Sequence, residues 1–116
     1  MIDGAKAERI AANYLRDKHY KLLDFNYHTR YGELDLVLKR KCYIVFVEVK
    51  KREADAIAAP REFIDEYKQQ RIFLAAHDYL NRYPTKLQPR FDVVEVICEK
   101  DEVKSIKHLE NAFDIR

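Results

Sequence analysis

Two neighbouring stretches decide how this chain folds: Glu33-Leu34-Asp35-Leu36-Val37-Leu38-Lys39, and Tyr43-Ile44-Val45-Phe46-Val47-Glu48-Val49-Lys50. In the first, Leu34, Leu36 and Leu38 alternate with other residues, the period of a strand with one face buried. In the second, apolar and mostly β-branched residues fill both faces, as in a strand at the centre of a sheet. Only Arg40, Lys41 and Cys42 separate them, so the two strands form a tight antiparallel pair. Charged residues close this apolar pair at one end, and that is its unusual feature.

Working outward, Asp3 is placed to cap a helix running to about Lys18, with Ala5, Ala11, Ala12, Tyr14 and Leu15 on its apolar face. Glu8 shares that face, where a carboxylate is costly unless something compensates it. Leu23, Phe25 and Tyr27 alternate as the inward residues of a first strand. Beyond the central strand, Pro60 suits the first turn of a long helix from about Arg61 to Arg82. Phe63, Tyr67, Ile72, Ala75, Ala76, Tyr79 and Leu80 are its expected inner surface, and Tyr83-Pro84 ends it. Phe91 to Cys98 read as a fourth strand and Val103 to Ile106 as a short fifth. An irregular tail, His108 to Phe113, packs through Leu109 and Phe113.

The order is therefore α-β-β-β-α-β-β. The third and fourth strands are joined through a helix and should pair in parallel with a right-handed crossover. This predicts an α/β fold with a mixed sheet flanked by helices. At 116 residues, with two glycines and three prolines and no repeat or linker, residues 1–116 form one domain in this reading.

Composition excludes several classes. A hydrophobic fraction of 47% beside 36% charged residues is that of a folded globular chain, not a disordered one. No apolar run approaches the roughly 18–20 residues that cross a bilayer, and no signal-peptide core opens the chain, so no membrane partner and a cytoplasmic location are expected. Cys42 and Cys98 lack ligand spacing and read as small buried side chains. His19, His28, His77 and His108 are scattered. A net charge of +2 does not mark a nucleic-acid binder by itself. Phosphate affinity would have to come from local runs such as Lys39-Arg40-Lys41 and Lys50-Lys51-Arg52.

On a strand, residues two apart project from one face, so Glu33 pairs with Asp35 and Glu48 with Lys50. Bringing these acids together on adjacent strands leaves negative charges that repel and raise one another's pKa. A divalent cation relieves the repulsion, and oxygen-only ligands suit Mg²⁺ or Mn²⁺ rather than zinc. The competing reading is that Glu48, Lys50 and their neighbours form cross-strand salt bridges and nothing more. Lys68 and Arg71, three apart, share one edge of the long helix. Asp92, between Phe91 and Val93, is expected to cap or to pair with Arg90.

Asp35 followed by Glu48-Val49-Lys50 on the next strand resembles the signature of PD-(D/E)XK nucleases, the restriction-endonuclease-like and Holliday-junction-resolvase-like fold. Nearly end to end, the chain resembles the YraN-like family of small bacterial proteins. The resemblance runs through Ala7-Glu8, Ala11 to Leu15, Tyr31 to Val37, Phe46 to Arg52, Lys68 to Arg71, Arg90 to Val94 and His108 to Phe113. It departs at Ala7, where glycine is usual, and at Glu53 to Ala56, where a loop richer in small residues is common.

The resemblance implies a metal-dependent nuclease acting on DNA, including branched or single-stranded forms. Asp35, Glu48 and the backbone carbonyl of Val49 would hold Mg²⁺ or Mn²⁺, with Glu33 and Glu8 completing the catalytic acids. Lys50 would orient the attacking water and neutralise the transition state. Lys68, Gln69, Arg71 and Arg52 would contact substrate phosphates. The alternative it leaves open is a nucleic-acid-binding module of the same fold with little or no activity. A homodimer would give so small a domain a second grip on DNA. An interaction protein whose acids take a basic segment is a third reading.

Overall fold

The computed structural model describes residues 1–55 and 64–114. Helix α1 (Gly4–Asp17) is followed by strands β1 (Lys21–His28), β2 (Glu33–Arg40) and β3 (Tyr43–Glu53). Helix α2 (Glu66–Arg82) and strands β4 (Gln88–Glu99) and β5 (Glu102–Leu109) complete the order α-β-β-β-α-β-β. The strands lie in the sheet in sequence order, β1-β2-β3-β4-β5. Among the described strands only β3 and β4 pair in parallel, and they are the pair with a helix between them. The α/β architecture with a mixed sheet is the expected one.

Local chemistry accounts for the helix starts. The Asp3 carboxylate accepts the Lys6 N–H at 2.9 Å, and Asp65 accepts that of Lys68 at 2.8 Å, each satisfying one unpaired donor of a first turn. Each helix covers one face of the sheet. Under α1, Ala11 and Leu15 meet Leu36, Leu38, Val45 and Val47. Under α2, Ile72, Ala75 and Tyr79 meet Val37, Ile44 and Phe46. Phe46 is 1% exposed, so truncating it to alanine would cost about 3–5 kcal/mol.

Several expectations are corrected. Leu23 and Phe25 are not inward: they are 40% and 62% exposed. A register shift between Leu22 and Asp24 and a positive φ at Asn26 (49°) break the alternation of β1, so Leu22 packs on the α1-side core while Tyr27, as expected, packs on the α2-side core. Helix α2 begins at Glu66 rather than near Arg61, while Pro60, Arg61 and Phe63 lie outside the described residues. Tyr67 is 71% exposed and not part of the inner surface. It stands five residues before Ile72, about 140° round the helix. Cys42 is exposed, because it sits in the two-residue turn between β2 and β3 rather than in a strand; Cys98 is buried.

Strand β5 is longer than expected and takes in His108 and Leu109, which pair with Val94 and Val93 and so cover the free edge of β4. Leu109 and Phe113 do pack on the α2-side core. Leu34 parts company with Leu36 and Leu38. It is buried in the α2-side cluster while they lie under α1. The ladder between β2 and β3 runs only from Arg40↔Tyr43 to Leu36↔Val47, and past that point β2 is free to twist away. The fork between the two strands opens at Asp35.

Candidate functional site

At the fork the Val49 N–H of β3 has lost a ladder acceptor, and Asp35 supplies one: its Oδ2 accepts that N–H at 2.8 Å. The carboxylate thus replaces a backbone carbonyl at the point where the sheet splits. The contact at Val49 is through its N–H. Glu48, on the α2 face with Ile44 and Phe46, is 9% exposed. Burial first, then the charge and hydrogen bond of Asp35, push its pKa up to about 8, against the opposing pull of Lys68. The Lys68 Nζ approaches Glu48 Oε1 at 3.2 Å from α2, although half of the lysine side chain stays in solvent.

A cavity of about 450 Å³ opens over this pair, lined among others by Glu33, Asp35, Glu48, Lys68 and Arg71. Gly32 forms part of its wall because the chain there runs against α2: a Cβ at Gly32 would lie 3.3 Å from the Arg71 Cβ. The Thr29 hydroxyl holds the preceding turn, accepting the N–H groups of Tyr31 and Gly32 at 3.0 and 3.1 Å.

From the other helix, Glu8 joins the same field. Its pKa is raised to about 7, by burial first and then by the charges of Asp35 and Glu33. Glu33 is more open and pairs with His28 at 3.2 Å. Asp35 thus links Glu8 and Glu48, 40 positions apart in sequence, since its charge raises the pKa of both, and Glu33 adds to the effect on Glu8.

The remaining candidates divide. Lys68 and Arg71 line the cavity. Gln69 turns back instead, its side-chain amide donating to the Ile64 carbonyl at 2.8 Å. Arg52 pairs with the buried Glu95 at 3.2 Å. Lys50 shares the face of Glu48 by strand alternation and is in register with Glu95 on β4, so it sits between two acids of the sheet. Sequence reading missed Asp65 and Tyr67, which also line the cavity. The signal for Asp65 was its place three residues before Lys68, the spacing of a helix cap.

Glu33, Asp35, Glu48, Lys68 and Arg71 thus share one cavity, while Glu8 lines a separate one with Ala12, Leu22 and Leu36 and reaches the acids through its charge. The model of the Uncharacterised protein family UPF0102 matches residues 7–96, which spans Glu8, the fork and α2. The chain belongs to the UPF0102 family. It is 44% identical over 111 residues to a UPF0102 protein of Syntrophomonas wolfei, covering 95% of this chain and 96% of that one. It is 43% identical to one from Syntrophotalea carbinolica (97% and 91% covered) and 42% to one from Caldanaerobacter subterraneus (95% and 93%). The UPF0102 match agrees with the YraN-like resemblance in the sequence.

This UPF0102 chain has a second group of donors. Asp92, His108 and Glu110 hold ligand atoms within 4.8 Å of one another, a spacing able to hold a metal ion. Here, however, the centre is taken by a cation of the chain itself. Arg90 donates to both Asp92 oxygens at 3.0 and 2.8 Å and lies 3.4 Å from Glu110. His108 and the Asn111 N–H complete the Asp92 shell. The expected Arg90–Asp92 pair is present, within a larger network than the sequence suggested. Among the described residues, no helix is long and apolar enough to cross a membrane.

Proposed function

We propose that this UPF0102 protein is a metal-dependent nuclease that hydrolyses phosphodiester bonds in DNA. The observation that carries the reading is the Asp35–Glu48 pair at the fork, two acids held together so that one keeps its proton near neutrality. A fold does not retain such a cluster for stability, because separated or apolar side chains would be less costly there.

The donor set fits a hard divalent ion. Its oxygens are carboxylate oxygens, and a cation is already drawn to Glu48 in the form of the Lys68 ammonium. Asp35 and Glu48, with the Val49 carbonyl, would hold Mg²⁺ or Mn²⁺, and Glu8 and Glu33 add negative charge around it. When bound, the ion supplies Lewis acidity that activates a water and polarises the phosphoryl oxygen.

The chain's own groups do the rest. Lys50 orients that water and offsets the charge developing on the phosphoryl oxygens. Arg71 grips a flanking phosphate, bidentate where geometry permits. Lys68, once released from Glu48, becomes a second phosphate contact. Gln69 and Arg52, tied to Ile64 and Glu95, would serve as substrate contacts only after exchanging those partners. The Lys68–Glu48 ion pair also favours the second reading, a binding module in which lysine stands permanently where an ion would.

The deciding experiment incubates plasmid, single-stranded and four-way-junction DNA with Mn²⁺ or Mg²⁺ beside Glu48→Ala and Lys50→Ala. Cleavage by the wild type should require the ion and vanish in Glu48→Ala. Lys50→Ala should lower turnover by about 10²–10³-fold with little change in binding, the scale of losing one preorganised electrostatic group. Lys51→Ala should be unaffected, since its side chain faces the other way and pairs with Glu53. No cleavage by the wild type, with DNA still bound, would leave the binding module standing.

A further inference from the structure

Tyr67 is a large aromatic side chain that burial does not explain. It lies in the first turn of α2, 71% exposed, and contributes to the wall of the cavity over Asp35 and Glu48. Exposed as it is, the ring is not loose. Its hydroxyl accepts a hydrogen bond from Arg71 Nη1 at 3.1 Å, and the Arg71 guanidinium stands 5.6 Å from the ring centroid. With an arginine held over the ring and most of the side chain in solvent, beside the Lys68 and Arg71 cations of the cavity wall, the ring presents a flat apolar surface to whatever enters the cavity.

We propose that Tyr67, held by Arg71, is a stacking platform for an unpaired nucleobase, so that the substrate class of this site is nucleic acid with a single-stranded segment at the point of attack. This deepens the nuclease reading and rests on it for the identity of the ligand. A continuous duplex keeps its base faces stacked inside the helix and offers a protein only phosphates and groove edges. An exposed aromatic face on the cavity wall gains nothing from it. An unpaired base has a free π-face, and the phosphates beside it would meet Arg71 and Lys68 on the same helix edge. A cavity of about 450 Å³ lies in the range of about 300–1,000 Å³ typical of pockets that take one small-molecule-sized unit, such as a single base. A second arginine–tyrosine stack points the same way: Arg30 lies 4.9 Å from the Tyr31 centroid, one residue before the Gly32 wall.

The test is equilibrium binding by fluorescence anisotropy, in EDTA so that no strand is cut. The probes are a short oligothymidylate, an abasic strand of equal length and a blunt duplex, each against wild type, Tyr67→Ala and Tyr67→Phe. Tyr67→Ala should weaken oligothymidylate binding by roughly 5- to 150-fold, the range for losing one base–aromatic stack. Affinity for the abasic strand and the duplex should stay the same, and Tyr67→Phe should keep the wild-type preference because it keeps the ring. Being exposed, the position tolerates truncation, and circular dichroism checks that each variant folds. Equal losses on oligothymidylate and abasic strand, or no loss on either, would overturn the platform. The two proposals fail separately: base-selective binding that depends on Tyr67 without metal-dependent cleavage sinks only the nuclease, and cleavage indifferent to Tyr67 sinks only the platform.

Discussion

Asp92 and Glu48 are both buried acids on neighbouring central strands, and the chain treats them in opposite ways. Asp92 is fully buried and surrounded by donors: Arg90 through two nitrogens, His108 at 2.7 Å, and the Asn111 N–H at 2.9 Å. Burial pushes its carboxyl up, but the bonds from His108, Arg90 and Asn111 outweigh it, and the net shift is downward. Glu48 has burial and a second carboxylate against it, and the shift is upward. The first arrangement ties the tail and β4 to Tyr20, whose hydroxyl also meets Arg90 at 2.7 Å. The second holds charge in tension at the edge of a cavity. Equal burial therefore says nothing about role; the sign of the surrounding charge does.

The contrast is broken most directly at Asp92. Asp92→Asn removes the anion that balances Arg90, whose side chain is only 13% exposed, and should cost about 3–5 kcal/mol of stability in urea denaturation. A loss below about 1 kcal/mol would mean that the network is ornamental and that the two acids are less different than they look.

A subtler test is pH. Glu48 keeps its proton in the folded protein up to about pH 8, whereas an unfolded chain releases it near pH 4.3. Between those values the folded state binds more protons than the unfolded one. Stability should therefore be full below the unfolded pKa and fall as pH rises toward 8, by up to about 1.4 kcal/mol per pH unit from this group. Glu48→Gln should flatten that slope, and millimolar Mn²⁺ should oppose it by favouring the ionised acid. A metal-free protein whose stability rises through this window, with Glu48→Gln doing nothing to the slope, would show that Glu48 is compensated like Asp92.

The smallest effect is expected at Asp35. Asp35→Asn keeps an oxygen for the Val49 N–H while removing one of the two repelling charges. The metal-free variant should match the wild type or be slightly more stable, in clear opposition to Asp92→Asn. Matching losses at Asp35 and Asp92, measured in the same denaturant series, would assign both acids to the scaffold.

Sequence alone determined the order of elements, the central position of β3, the parallel β3/β4 pair and the pairing of Arg90 with Asp92, because alternation, helix spacing and caps are short-range and survive without tertiary context. It also brought Asp35, Glu48 and Lys50 to notice, since charges that close an apolar strand are visible as a pattern. Tertiary structure decided what a pattern cannot carry. A shift at Leu22/Asp24 and a positive φ at Asn26 left Leu23 and Phe25 outward while Tyr27 stayed in the core, because such irregularities change locally which side chains face inward. The end of the β2–β3 ladder at Leu36 opened the fork that Asp35 fills. Contacts across 16 positions gave Asp92 its histidine, and the docking angle of α2 on the sheet left Tyr67, about 140° round the helix from Ile72, in solvent. Each of these depends on where two distant segments meet, and the energy that sets the meeting point is summed over the whole core rather than written in either segment.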